Sequence, residues 1–192
     1  MESMEPTTTP SDIFEQLDCL GFPDIDIRNI PPYAPGKDYW RLLRLQISAF
    51  HQFQTGPMGL HTLDTAIELA HPDCKNDYRN AVTAYRSVIR DHTIKWVGKP
   101  RRGIVVAGEK RIRVAPSMIL NVDGVDYVVQ LTLTDQPLEP PLAGVMVHLI
   151  ASTHGHLGRP IVLDVLAGKS YGRTTMEMTS SQYDQWLATV TS

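Results

Sequence analysis

The residues best placed to do chemistry are nine cations in the middle of the chain. Lys75, Arg79, Arg86 and Arg90 recur at helical spacing; at about 100° per residue they fall within an arc of roughly 60°, so one helix edge carries all four. Lys99, Arg101 and Arg102 follow in a Gly- and Pro-stiffened turn at 98–103, and Arg111 and Arg113 flank Ile112 as they would on one face of a strand. Residues 75–113 hold eleven basic and three acidic side chains, although the whole chain carries a net charge of −3. Cations so concentrated suit phosphate neutralisation, which gives salt-dependent binding with little sequence preference. Trp96, just before the turn, could add base stacking. The competing reading is internal matching, in which the belt pairs with the acidic flanks of its own chain or of a neighbour.

Carboxylates and imidazoles offer less. Asp126 stands opposite Asn121 near a turn and reads as a solvated strand-end carboxylate. Asp164 lies in the apolar run Ile161–Val165 and needs a partner, for which Lys169 or Arg173 qualifies. His154-Gly155-His156 could ligate a transition metal together with Asp164, but no third ligand sits at informative spacing, so a polar loop is expected. His51, His61 and His71 recur every ten residues on separate elements. Cys19 and Cys74 are too few for a disulfide framework or a zinc site and read as buried thiols. The chain contains no G-x-S-x-G, H-E-x-x-H, dinucleotide fingerprint, P-loop or C-x-x-C. No cofactor and no metal are expected.

These side chains need elements to hold them. Residues 1–10, rich in Thr and Pro, predict a disordered tail. Ser11 or Asp12 can cap a short helix bearing Ile13, Phe14, Leu17 and Leu20, and Asp38 a second over 39–53. A third is expected over 60–70, ending before His71-Pro72. The fourth, over 74–91, has the clearest period: Tyr78, Ala81, Val82, Tyr85, Val88 and Ile89 form one stripe.

After His92 the pattern alternates. Short strands are expected at 94–97 and 104–106, then a hairpin over 111–134 centred on Asp123-Gly124, the strongest local signal in the chain. Its register sets Val122 against Val125, Leu120 against Tyr127, Met118 against Val129, Pro116 against Leu131 and Val114 against Leu133, making one face apolar throughout. Pro140-Pro141 can start a crossover helix over 142–153. A buried strand at 161–165 and an edge strand at 171–178 follow, and Ser180 or Ser181 caps a last helix with Tyr183 and Trp186. The expected class is α+β: a helical region 11–93 packed on a mixed-sheet region 94–192, in one compact domain.

On residues 94–170 this order resembles the PD-(D/E)xK phosphodiesterase superfamily, the restriction-endonuclease-like fold. In that family an Asp on one hairpin strand and a Glu-x-Lys on the next gather a divalent metal and cut a phosphodiester. The matching positions here are Pro116-Ser117 and Gln130-Leu131-Thr132. The hairpin register places Ser117 across from Gln130, where the family's carboxylates would stand, and Thr132 at the position of the Lys. All three are neutral. A hard cation needs carboxylate oxygens in place of its water, and none of these residues titrates near neutral pH to activate one.

The resemblance and the charge pattern together imply a non-catalytic protein on a degenerate nuclease-like fold. Its basic middle would bind DNA, RNA or an acidic protein. One alternative is a metal-dependent nuclease with displaced ligands, drawing on Asp126 and Asp164; another is a self-associating module. No apolar run approaches the roughly 20 residues of a bilayer span, and the first residues, MESMEPTTTPSD, have neither a basic nor an apolar signal segment. A cytoplasmic location without a membrane partner is therefore expected.

Overall fold

The computed structural model describes residues 40–53, 57–107, 110–133 and 138–172. The expected tail, the helix after Ser11 or Asp12, the Asp38 cap, the helix after Ser181, Cys19 and Arg173 lie outside them.

Among the described residues three helices come first: α1 (Arg41–Gln52), α2 (Pro57–Leu69) and α3 (Lys75–Ile89), with a 3₁₀ turn at Pro72–Cys74. Helix α3 forms where the period is cleanest, and its stripe of Tyr78, Ala81, Val82 and Tyr85 is buried. Helix α2 begins three residues earlier than the expected position 60, because Pro57 is tolerated in a first helical turn, where its missing N–H has no intrahelical partner to lose.

Seven strands and one more helix follow among the described residues: β1 (Ile94–Gly98), β2 (Gly103–Ala107), β3 (Lys110–Val114), β4 (Met118–Val122), β5 (Val125–Thr132), α4 (Pro140–His154), β6 (Arg159–Asp164) and β7 (Lys169–Gly172). Five form one sheet in the order β1-β4-β5-β6-β7, while β2 and β3 form a separate two-stranded ribbon. Strand β6 runs parallel to β5, with α4 as the crossover, and the other neighbours are antiparallel. The class is α+β, with helices packed on a mixed sheet.

The turn at Asp123-Gly124 has positive φ at both residues, 51° and 87°, as a type I′ turn requires. It fixes the expected register from Val122↔Val125 through Met118↔Val129. Asp123 also binds the α3–β1 connection: its carboxylate accepts from His92 Nδ1 at 2.6 Å and from the Thr93 amide at 2.8 Å. The first of these bonds, then the second, holds its pKa below the usual carboxylate value.

Upstream of Met118 the hairpin departs from expectation. Pro116 has no N–H to give to a central strand, so the ladder stops there. The Leu131 amide turns instead to Ser117 Oγ at 3.1 Å, and the Ser117 amide donates to the Val129 carbonyl at 2.9 Å. Residues 111–114 leave the sheet and pair with β2, so that Val114 sits across from Gly103 rather than Leu133.

The sheet separates two cores. Met118, Leu120, Val129, Leu131 and Leu163 pack against α1, α2 and α3. On the opposite face Val128 and Val162 meet α4, and the ribbon closes over α4 through Ile112 and Val114. Helix α4 is apolar nearly all round, as a helix covered on two sides must be: Ala143, Val145, Met146, Val147, Leu149 and Ile150 are all buried.

Candidate nucleic-acid interface

The ribbon is positioned by its inner face. A methyl group added at Gly103 would lie 2.7 Å from Thr153 Cβ and 2.9 Å from His154 Cε1, so only glycine lets the strand approach the end of α4 this closely. His154 is not in a polar loop. It is buried in the last turn of α4, and its Nε2–H donates to the Arg101 carbonyl at 2.6 Å, since a carbonyl can only accept. Its Nδ1 lies 2.6 Å from Thr153 Oγ1. The basic turn is thus fastened to the helix by its backbone, leaving its side chains outward.

The outer face follows from strand alternation. Ile104 stands across from Arg113 and Val106 across from Arg111, and all four are exposed. Ile104 and Val106 keep 55% and 64% of their surface in water, much as Val97 on β1 does at 51%. Lys99, Arg101 and Arg102 are exposed at the foot of the ribbon. Among the described residues, Lys99, Arg101, Arg111 and Arg113 form no ion pair. Sequence reasoning found the arginines and missed Ile104 and Val106, whose outward direction follows only from which ribbon face meets α4.

The helical cations lie elsewhere. Arg79, Arg86 and Arg90 are exposed on α3 and Lys75 is half-buried, as one helix edge predicts. Yet α3 packs on the opposite sheet face from the ribbon, so the nine cations divide into two groups in different layers. Arg86 already holds Asp64 at 2.9 Å, and Arg79 donates to Asn76 at 2.7 Å. Trp96 packs on the helical core and is only partly buried there.

The positions singled out by the nuclease resemblance are filled in a way that closes them. Gln130 and Thr132 are buried, with Gln130 Nε2 donating to the Leu131 carbonyl at 3.0 Å and Thr132 Oγ1 to that of Leu163 at 3.2 Å. Ser117 is half-buried and occupied by the Leu131 amide.

Asp164 is fully buried beside Thr132. Of its two expected partners, Arg173 lies outside the described residues and Lys169 forms no ion pair with it; the carboxylate accepts the Leu138 amide at 2.8 Å and the Ala167 amide at 3.1 Å. It caps the turn into β7 and holds the entry to α4, while Tyr171 donates to the Leu138 carbonyl at 2.9 Å.

Asp126 sits at the other end of the parallel pair, exposed and accepting from Asn121 Nδ2 at 2.6 Å. The β5–β6 register puts about six residues, or about 20 Å, between Asp126 and Asp164, too far to share one ion. Asp126 instead borders an open groove of about 850 Å³ with Tyr127, His156, Arg159 and Ser170. Among the described residues no cluster of three or more His, Cys, Asp or Glu side chains could hold a metal ion, and no helix is long and apolar enough to cross a membrane.

Two other expectations concern single side chains. Cys74 is a buried free thiol. His51 is buried with Nε2 at 2.5 Å from the Tyr85 hydroxyl, and burial pushes its pKa down to about 4 and that of Tyr85 up.

Compared with known proteins, the chain matches no family model, no curated protein and no solved structure.

Proposed function

We propose that the protein is a non-catalytic, cytoplasmic nucleic-acid-binding protein on a degenerate nuclease-like fold, and that the β2–β3 ribbon is its contact surface. The observation that carries this reading is the ribbon's outer side. Arg111 and Arg113 are exposed there and Lys99 and Arg101 at the ribbon's foot, none of them engaged by a carboxylate among the described residues. Cations on one ribbon repel each other, a cost that a polyanion lowers on binding.

The same comparison ranks the two basic groups. On α3, Arg86 is already paired with Asp64, whereas no such pair is found among the described residues for Lys99, Arg101, Arg111 or Arg113. The order of hairpin, crossover helix and parallel strand supports the nuclease-like part of the reading, and the buried, neutral Gln130 and Thr132 support its non-catalytic part.

The test is fluorescence anisotropy of a labelled duplex at two salt concentrations. Two to four phosphate contacts predict about a 10- to 100-fold loss of affinity between 50 and 200 mM salt. Replacing Lys99, Arg101, Arg111 and Arg113 by alanine should abolish binding at the lower salt, whereas replacing Lys75, Arg79 and Arg90 should leave most of it. Absence of binding at 50 mM, or binding indifferent to the four ribbon substitutions, overturns the proposal.

A further inference from the structure

We infer that the ribbon enters the major groove of double-stranded DNA and that Arg111 and Arg113 each read a guanine there, two base pairs apart. This rests on the nucleic-acid-binding reading above and adds the kind of nucleic acid and the residues that select its sequence.

The shape of the contact element argues first. A two-stranded antiparallel ribbon is one of the two elements that B-DNA's major groove, about 12 Å wide, admits. Here the ribbon stands apart from the main sheet and lies with one face on α4 and the other in solvent. The described ribbon residues include no acidic side chain, so nothing on β2 or β3 themselves repels phosphate along the groove walls.

The chemistry of the outer face argues second. It carries two guanidinium groups and two bare aliphatic side chains in cross-strand pairs, Ile104 with Arg113 and Val106 with Arg111. A guanidinium binds the O6 and N7 edge of guanine through two parallel bonds, and an aliphatic side chain suits the thymine methyl. Both partners are displayed in the major groove.

Spacing agrees as well. Arg111 and Arg113, two residues apart on β3, project about 7 Å apart. Two base-pair steps of B-DNA rise by about the same distance. Lys99, Arg101 and Arg102, at the ribbon's foot, would then reach the phosphates that border the groove.

Other occupants fit less well. Single-stranded nucleic acid is held by stacking on aromatic rings, and this face has none; Trp96 packs on the other core. The major groove of A-form RNA is too deep and narrow for side chains to read. A second copy placed face to face would set arginines against arginines.

The experiment is selection from a randomised duplex library with the full chain, followed by affinity measurements on the enriched duplex and on variants of it. The expected consensus holds two guanines separated by one base pair, with thymine enriched beside them. Arg111→Lys and Arg113→Lys keep the charge but lose the two-pronged donor, so each should keep binding and its salt dependence while relaxing discrimination at one guanine by about 10-fold. A duplex bound without sequence preference, or with a preference that both lysine variants retain, overturns this inference and leaves the salt-dependent binding of the previous section standing. Single-stranded DNA, duplex RNA or polyglutamate binding as tightly as duplex DNA overturns it too. Failure of any duplex to bind at 50 mM salt removes both.

Discussion

His51 shows how much a single buried imidazole can weigh. Its pKa drops to about 4 because burial against Tyr85 disfavours the charged form. The unfolded chain, with a His pKa near 6.5, binds a proton over a window in which the folded protein does not. Stability from this group is therefore complete above about pH 6.5 and falls as pH drops toward 4, by about 1.4 kcal/mol per unit and about 3 kcal/mol in all. Asp123 acts lower: its depressed pKa keeps its contribution intact until the pH falls below its unfolded value of 3.8. Urea unfolding between pH 4 and 7 should show the His51 slope, and His51→Gln should flatten it; an unchanged slope in the variant would place the titration elsewhere. None of this was legible beforehand, because His51 shares its regular spacing with two other histidines and only the fold distinguishes it. Asp164 was half legible. An isolated carboxylate in an apolar run needs partners, but whether these are cations or backbone amides depends on loops that bring Leu138 and Ala167 within reach.

At the scale of elements, the clearest local signals survived. Asp123-Gly124 set the register of β4 and β5, and the period of α3 gave its buried stripe. The segment 111–114 was misplaced because alternation identifies two faces but not the sheet to which they belong. Its alternation suits pairing with β5 as well as with β2; Pro116 breaks the choice by withholding an N–H. The ribbon's seat is equally local in origin. Gly103 touches Thr153 and His154 so closely that Gly103→Val should cost about 1–3 kcal/mol by overpacking and push the ribbon off α4. Thermal unfolding would report the loss, and the same variant should bind duplex DNA more weakly. A variant as stable as the parent would mean that the ribbon has room to shift.

The described residues form three layers: helices, sheet, then α4 with the ribbon across it. That arrangement explains why the charge map could not be read from the chain. The nine cations lie within one stretch of 39 residues, yet four belong to α3 and its end and five to the ribbon and its foot, and α3 and the ribbon pack on opposite faces of the sheet. The PD-(D/E)xK resemblance rested on three positions near the middle of this stack. Two of these, Gln130 and Thr132, are buried, so the question of function moves outward to the ribbon.

The ribbon joins the body through two brief spans, residues 99–102 before it and 115–117 after it, and adds few apolar side chains to the core. A unit so lightly secured should open on its own well before the sheet does. Its amides should exchange with deuterium sooner than those of β4 and β5, and a polyanion gripping the outer arginines should slow them. Because the Arg101 carbonyl is tied to His154, that slowing should spread into the last turn of α4, so deuterium uptake would trace the path of the grip into the body of the protein.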